Sequence, residues 1–184
     1  MILEIVKYGD SVLRQKGKPV AEITDEVREL AANMIETMHE ANGVGLAAQQ
    51  VGVPLQLTVI EVEETEERPS SMTVDGNQVD LKEWMPMVIL NPLLELGPDK
   101  VEASEGCLSF PEITADIERS ASVKAKVRLL DGREIEFEAT GLLARALQHE
   151  TDHLNGILFI DRMKSATRTV LAGKLKRLQR ETKG

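Results

Sequence analysis

The sequence contains few aromatic residues and a single cysteine. Three phenylalanines, one tryptophan and one tyrosine in 184 residues mean that the core must be built from aliphatic and methionine side chains. One cysteine, Cys107, excludes an intrachain disulfide and is typical of a protein from a reducing compartment. A free cysteine is often just a small buried apolar residue, so the role of this thiol is open at this point.

Positive charge, targeting signals and long apolar runs are also lacking. The net charge of −9 argues against nonspecific binding to DNA, which needs clustered Lys and Arg. The N-terminus has neither the basic flank nor the apolar segment of a signal or transit peptide, and no apolar run could span a bilayer. We therefore expect a cytoplasmic protein without a membrane or DNA partner. The length predicts one domain over residues 1–184.

Apolar residues at helical spacing predict a helix near each end of the chain. The first is capped by Thr24 and ends at Asn42-Gly43. His39 lies on this helix without a partner in the sequence, so we expect a surface or packing residue. The last helix spans 165–180, with its basic residues outward and four side chains facing inward: Val170, Leu171, Leu175 and Leu178.

Alternating apolar and polar residues predict strands over 55–62 and 122–130, and a short apolar run predicts a strand over 88–90. Asn91-Pro92 is expected to end the strand at 88–90. Asp131-Gly132 is a strong hairpin signal. Residues 63–87 are acidic and irregular, and we interpret them as a surface insertion with a small hairpin around Asp75-Gly76.

Two of the three histidines lie four residues apart in a third predicted helix, which follows Thr140 as its candidate cap. His149 and His153 would lie one turn apart on one face, where they can bind the same metal ion, with Glu150 beside them. Metal ligands next to a carboxylate are the groups needed to activate water at neutral pH.

Three interpretations of this pair compete. A chance pairing on a solvated helix is disfavoured by the apolar neighbours Leu147 and Leu154. Zinc-dependent proteases share His-Glu-x-x-His, but they take their third ligand downstream, and no histidine follows His153. A binding module with a structural metal would need four protein ligands. A catalytic zinc-type site needs three, and cysteine is a favoured ligand, which makes Cys107 a candidate.

Three segments, taken in order, resemble the peptide deformylase family. They are Gly-Val-Gly-Leu-Ala-Ala-Gln-Gln at 43–50, Glu-Gly-Cys-Leu-Ser at 105–109 and Gln-His-Glu-Thr-Asp-His-Leu at 148–154. The resemblance covers nearly the whole chain. It implies an α+β fold with antiparallel β-sheets packed around a central metal-binding helix, and a C-terminal helix. Two departures are the longer 63–87 segment and Thr114, which stands where many members carry a basic residue.

The resemblance implies removal of the N-formyl group from N-formylmethionyl nascent polypeptides, with release of formate. It makes Cys107, His149 and His153 the ligands of one divalent metal ion, with Fe²⁺ expected in the cell and Zn²⁺, Ni²⁺ or Co²⁺ as further candidates. A metal-bound water would be the nucleophile, and Glu150 would accept its proton and deliver it to the departing amine.

The resemblance also implies oxyanion donors and a methionine pocket. The donors would be the side-chain amide of Gln50 and the backbone N–H of Leu108. The substrate-binding residues would be Val44, Gly45, Gly106, Leu142 and Ala146. Leu142 and Ala146 precede the histidines on the same helical stripe, which supports their place beside the metal.

The residues behind the ligands and the partners are less specifically indicated. Glu105 or Asp152 is expected either to accept the free ring N–H of a ligand histidine or to join a structural ion pair with Arg119. Formylmethionyl nascent peptides are the expected partners. Docking of the basic C-terminal helix on the ribosome near the exit tunnel is a further hypothesis.

Overall fold

The computed structural model describes residues 1–183 and, within them, three α-helices and nine β-strands. The helices are α1 (Asp25–Glu40), α2 (Gly141–Leu154) and α3 (Ser165–Lys183). The strands are β1 (Gly45–Ala47), β2 (Leu57–Ile60), β3 (Ser70–Val74), β4 (Asn77–Val79), β5 (Met87–Leu96), β6 (Lys100–Cys107), β7 (Phe110–Ser120), β8 (Ser122–Arg128) and β9 (Glu134–Thr140). No helix in this described part is long and apolar enough to cross a membrane.

The strands form two antiparallel sheets. Seven strands pair in the order β1-β2-β5-β8-β9-β3-β4, while β6 and β7 form a separate two-stranded ribbon. Asp131-Gly132 lies in the turn that joins β8 to β9, as predicted. Asp75-Gly76 joins β3 to β4, and the positive φ of both residues (51° and 78°) suits a two-residue hairpin turn. The predicted α+β architecture with antiparallel sheets is therefore confirmed.

Helix α2 is the element around which the core is built. It packs against strands of the large sheet and against β7, and nine of its residues are buried, including polar Gln148, His149, Glu150 and His153. The largest apolar cluster joins its side chains Leu143 and Leu147 to the large sheet. A helix buried on so many sides holds its side chains rigidly, which a catalytic arrangement requires.

The N-terminus of α2 is capped by the 63–87 segment. Pro69 O accepts the Leu142 N–H at 3.1 Å, and Ser70 Oγ accepts the Leu143 N–H at 2.9 Å. The expectation that Thr140 caps the helix is wrong, because its hydroxyl contacts Ser71 and makes no bond to the helix backbone. Gly141 is needed at this junction, since a Cβ there would lie 2.0 Å from Pro69 O.

The 63–87 segment is consequently more than a surface excursion. Its predicted hairpin exists, but β3 also pairs with β9 as part of the large sheet, and Met72 is fully buried. Trp84, on the return, packs against the largest apolar cluster. The acidic residues from Glu63 to Glu67 are exposed, as expected of a solvated loop.

The C-terminus of α2 is also tied to the surrounding structure. Leu154 O accepts three hydrogen bonds, from the backbone N–H of Gly17 at 2.8 Å and from the side-chain amides of Gln49 and Gln56 at 3.2 and 2.7 Å. A terminal helix carbonyl has no partner within its own helix, so these donors satisfy a buried acceptor. Both ends of the helix are thereby fixed.

Two predictions about element boundaries and faces are wrong. Strand β5 does not end at Asn91-Pro92, because the chain forms a bulge between Leu90 and Leu93 and pairing with β8 then resumes. Asn91 has a φ of 51°, and its side chain holds Val20 through two hydrogen bonds. Proline is tolerated at such a bulge. On α3, Val170 is 82% exposed and does not face inward.

The β6–β7 ribbon was not predicted at all. Alternate residues of β7 are buried (Ile113, Ala115, Ile117), which is the period of a half-buried strand. The ribbon positions the Cys107 segment, because β6 ends at Cys107 and a tight turn through Leu108 and Ser109 leads into β7.

Replacing Ser70 with alanine tests the cap of α2. We expect Ser70→Ala to lower the free energy of unfolding by about 1 kcal/mol, as for loss of a helix N-cap, measured by urea denaturation. The neighbouring Ser71→Ala is the matched control, because its hydroxyl contacts only Thr140 Oγ1 at the surface. Equal losses in the two variants would contradict the assignment of the cap.

Candidate metal centre

Three side chains with metal-binding atoms meet beside α2. His149 and His153 project from this helix, and Cys107 approaches from the end of β6. The ligand atoms of the three residues lie within 4.8 Å of one another. Cys107 Sγ is 3.3 Å from His153 Nε2, and the two imidazole rings are 5.0 Å apart. The structure thus brings together the three residues predicted as ligands.

The chemistry of these donors fits a divalent transition metal ion. One thiol and two imidazoles form the type of set that binds zinc or iron and leaves a position open for substrate or water. His149 uses Nδ1 to reach Glu105, so its Nε2 is free for the ion. Burial lowers the pKa of His153 well below its usual range and so favours the neutral imidazole that a ligand must be. For His149, burial acts in the same direction, but hydrogen bonds with Cys107 and Glu105 outweigh it and raise the pKa well above its usual range, so binding of an ion there must displace a proton.

Glu105 contacts His149, one of the predicted ligands, and is also the centre of a buried ionic network. Its Oε1 lies 2.8 Å from His149 Nδ1. Arg119 donates to both carboxylate oxygens, at 2.8 and 2.9 Å, and Arg145 donates to Oε2 at 2.6 Å. Burial opposes ionisation of this carboxyl, but the hydrogen bonds from Arg119 and His149 outweigh it and hold the pKa of Glu105 below its usual range. Both roles that the sequence left open for Glu105 occur together.

Asp152 takes only the structural role. It accepts hydrogen bonds from Arg119 at 2.8 Å and from Arg162 at 3.0 Å, and its side chain makes no hydrogen bond to the His153 ring. His153 Nδ1 is buried without a hydrogen-bond partner among residues 1–183. The ion pair with Arg119 is therefore observed for both acidic residues, whereas only Glu105 forms a hydrogen bond with a predicted ligand, His149.

Arg145 is a site residue that the sequence analysis missed. Besides Glu105, its guanidinium donates to Val101 O at 2.7 Å and Ile117 O at 2.9 Å, one carbonyl on each strand of the β6–β7 ribbon. It thereby ties the ribbon to α2. The available signal was its position one turn before His149, as the only charged residue in Leu-Leu-Ala-Arg-Ala-Leu.

Glu150 lies buried beside the three predicted ligands. Its Oε1 is inaccessible and has no hydrogen-bond partner among the described residues. Burial raises the pKa of Glu150 to about 7. Gly45 allows the close approach of this side chain, because a Cβ at that position would lie 2.5 Å from Glu150 Oε2. A carboxyl that titrates near neutrality is suited to accept and return a proton.

Gln50 and Leu108 carry the predicted oxyanion donors. Gln50 is 2% exposed, and its Nε2 lies 3.6 Å from Cys107 Sγ and 3.1 Å from Ser109 Oγ. Leu108 follows Cys107 in the turn between β6 and β7. Both residues line the same cleft as His149 and Glu150. Their predicted donor groups are consequently beside the ligand cluster.

The cleft next to the ligands has a volume of about 460 Å³. All five predicted substrate-binding residues line it: Val44, Gly45, Gly106, Leu142 and Ala146. Arg68, from the acidic segment, and Thr114, from β7, line it as well. Arg68 was not anticipated, because nothing in the sequence of an irregular segment indicates how it folds back on α2.

A second concavity, of about 500 Å³, lies on the outer face of the large sheet. It is lined by residues of β3, β5, β8 and β9, such as Lys124 and Glu138, and by none of the predicted site residues. Size alone would favour it, but only the smaller cleft holds metal-binding side chains and a buried carboxyl with a raised pKa.

Replacing Glu105 with alanine tests the network. The change leaves the buried guanidinium of Arg119 and the partly buried guanidinium of Arg145 short of a partner, and it frees the His149 ring. We expect a loss of about 3–5 kcal/mol in the free energy of unfolding and a roughly 10–100-fold weaker affinity for Co²⁺, measured by denaturation and by metal titration. Arg133→Ala, which removes an exposed pair with Asp131, should change neither. Unchanged Co²⁺ affinity in a folded Glu105→Ala protein would refute the orienting role.

Comparison with known proteins agrees with this geometry. The family model described as polypeptide deformylase matches residues 2–169. The peptide deformylase of Methylacidiphilum infernorum is 43% identical over 180 residues, covering 98% of this chain and 94% of that protein. The crystal structure of peptide deformylase from Thermus thermophilus is 34% identical, with a TM-score of 0.82 over 98% of this chain and 99% of that one.

A further solved structure, the peptide deformylase from Synechococcus elongatus in complex with actinonin, is 38% identical with a TM-score of 0.78, covering 94% of this chain and 85% of that one. Sequence and fold therefore agree over almost the full length. The chain belongs to the polypeptide deformylase family of metalloenzymes, hydrolases that remove the N-formyl group from nascent polypeptides.

Proposed function

We propose that Cys107, His149 and His153 hold one divalent metal ion and that Glu150 transfers the proton when the formyl group is removed from N-formylmethionyl peptides. The observation that carries the proposal is the group of three ligand atoms within 4.8 Å of one another beside a buried, unpartnered carboxylate oxygen. A bound ion supplies Lewis acidity, which polarises a carbonyl and lowers the pKa of water.

Glu150 is the proton carrier in this proposal. It accepts the proton of the attacking water and delivers it to the amine that leaves as formate is released. Its pKa of about 7 supports both steps, because a carboxyl near neutrality is a competent base and, once protonated, a competent acid. The close approach of Gly45 limits where the carboxylate can move.

Gln50 and Leu108 stabilise the oxyanion that forms on the formyl carbon. The side-chain N–H of Gln50 and the backbone N–H of Leu108 are the donors, and preorganised hydrogen bonds of this kind stabilise developing charge strongly. Their placement along the cleft that holds Glu150 supports this assignment.

The methionine side chain binds in the apolar part of the cleft, formed by Val44, Gly45, Gly106, Leu142 and Ala146. A pocket of this type discriminates one methylene by only roughly 1–3 kcal/mol, so it selects methionine mainly against polar and much larger residues. Fe²⁺ is the metal that we propose for the cell, because a thiolate lowers the net charge of the site relative to three neutral imidazoles. Zn²⁺, Ni²⁺ or Co²⁺ could replace it in purified protein.

Formate release from a formyl-Met peptide by iron-loaded protein tests these roles. We expect wild-type protein to release formate and Glu150→Ala to reduce kcat by roughly 10²–10⁴, as for loss of a general acid–base group, with its metal content unchanged. Cys107→Ser should instead lower the metal content.

The matched control for Glu150→Ala is Glu136→Ala, an exposed carboxylate on β9 that should leave kcat unchanged. Full turnover by metal-loaded Glu150→Ala would exclude the proton-transfer role. Absence of formate release by metal-loaded wild type would exclude the activity itself.

We further propose that residues 1–184 form one domain that acts in the cytoplasm on chains emerging from the ribosome. Two of the large apolar clusters share strands β2 and β5, and α2 packs against β7, which belongs to the third cluster; this supports a single folding unit. Helix α3 presents four exposed basic residues that could contact ribosomal RNA: Lys174, Lys176, Arg177 and Arg180.

Charge reversal on α3 tests the ribosome contact. Substituting glutamate at the four basic positions should weaken binding to purified ribosomes at least 10-fold, because phosphate contacts dominate such affinities. Turnover on short formyl-Met peptides should not change, since α3 is absent from the cleft lining. Equal ribosome binding by the charge-reversed and wild-type proteins would refute the docking proposal.

A further inference from the structure

The structure assigns a positioning role to Ser109: its hydroxyl fixes the rotation of the Gln50 side-chain amide and so aims one N–H of that amide into the cleft. This inference rests on the proposed role of Gln50 as an oxyanion donor. Ser109 does not itself line the cleft, so it would act on the reaction only through Gln50.

The Gln50 amide is held at both of its ends. Its Oε1 accepts the backbone N–H of Ala47 at 3.0 Å, and its Nε2 donates to Ser109 Oγ at 3.1 Å. The Ala47 contact fixes which end is oxygen, because a flipped amide would set two donors against each other. The terminal torsion of a glutamine is otherwise broad, so these two contacts define its angle.

One of the two amide hydrogens remains after the Ser109 contact. An amide NH₂ carries two hydrogens in a plane, and Ser109 Oγ accepts one of them. The other points toward Cys107 Sγ, at 3.6 Å from Nε2, on the cleft side of the residue. The hydroxyl therefore decides the direction of the donor that the proposed reaction uses.

Ser109 is itself rigid. Its exposure is 0%, so water cannot take the place of its hydroxyl. Its carbonyl accepts the backbone N–H of Tyr8 at 2.9 Å, and the Tyr8 ring stacks on Phe110 at 4.9 Å. The serine also directly follows Leu108, the second proposed donor.

Removing the hydroxyl should misdirect the Gln50 donor without removing it. In Ser109→Ala the amide keeps its Ala47 contact but loses one of the two acceptors of its nitrogen, so the direction of its second N–H is no longer fixed. We expect kcat on a formyl-Met peptide to fall about 10-fold, less than the roughly 10²–10³-fold of losing an oxyanion donor. KM should stay within about 2-fold, because the methionine pocket is untouched.

A double-mutant cycle with Gln50→Ala separates positioning from a general structural role. If Ser109 acts through Gln50, Ser109→Ala should have no further effect on kcat in the Gln50→Ala background. Ser120→Ala is the matched control, since this buried serine of the same ribbon contacts Lys100 and not Gln50. Ser109→Cys, nearly the same size but a weak acceptor, should repeat the loss and replaces the alanine variant if that does not fold.

A readout independent of turnover comes from the side-chain amide of Gln50 in the zinc-loaded protein, followed by ¹⁵N–¹H NMR. One of its two protons should exchange slowly with solvent in wild type, and this protection should be lost in Ser109→Ala. Fast exchange of both protons in wild type, unchanged kcat in Ser109→Ala, or a full additional loss in the Gln50→Ala background would each overturn the inference. Failure of wild-type protein to release formate would instead refute the proposed activity.

Discussion

The rest of the site depends on the hydrogen bonds that the Glu105 carboxylate accepts. The predicted ligands come from two separate elements, a thiol at the end of β6 and two imidazoles on α2, so their distances are set by how these elements dock. Glu105, two residues before Cys107, binds the His149 ring and accepts hydrogen bonds from Arg119 and Arg145. A buried carboxylate with several charge-assisted hydrogen bonds has few alternative positions. It therefore fixes the ribbon and the helix relative to each other.

The ends of α2 extend the same constraint to distant parts of the chain. The 63–87 segment satisfies the first N–H groups of the helix, and Gly17, Gln49 and Gln56 satisfy its last carbonyl. Residues far apart in sequence thus hold the helix that carries His149 and Glu150. The proposed chemistry requires the reacting groups to be held to within about half an ångström of their productive positions. Rigid support of the helix is therefore part of the function.

The candidate site residues were easier to predict from the sequence than the contacts that hold them in place. On a helix, the His149–Glu150–His153 spacing places both histidines on one face, and Asp-Gly between two strands favours a hairpin turn. Both features were therefore predictable. The helix cap at Ser70 and the hydrogen bonds from Arg145 to the β6–β7 ribbon were not predictable, because they depend on which segments meet in three dimensions. Asn91-Pro92 misled for a related reason: proline ends a regular strand, but a bulge stabilised by contacts to Val20 allows the strand to continue. Val170 lies at helical spacing with the inward residues of α3. However, α3 packs against the core only through a narrow stripe that includes Leu171, Leu175 and Leu178, and Val170 is exposed.

The most direct test of the account is the structure of the metal-loaded protein. The account predicts one ion bound by Cys107 Sγ and by the Nε2 atoms of His149 and His153, at about 2.3 Å for sulfur and about 2.0–2.1 Å for nitrogen if the ion is zinc. His149 Nδ1 should still contact Glu105. An ion bound elsewhere, or His149 bound through Nδ1 with Glu105 displaced, would contradict the account.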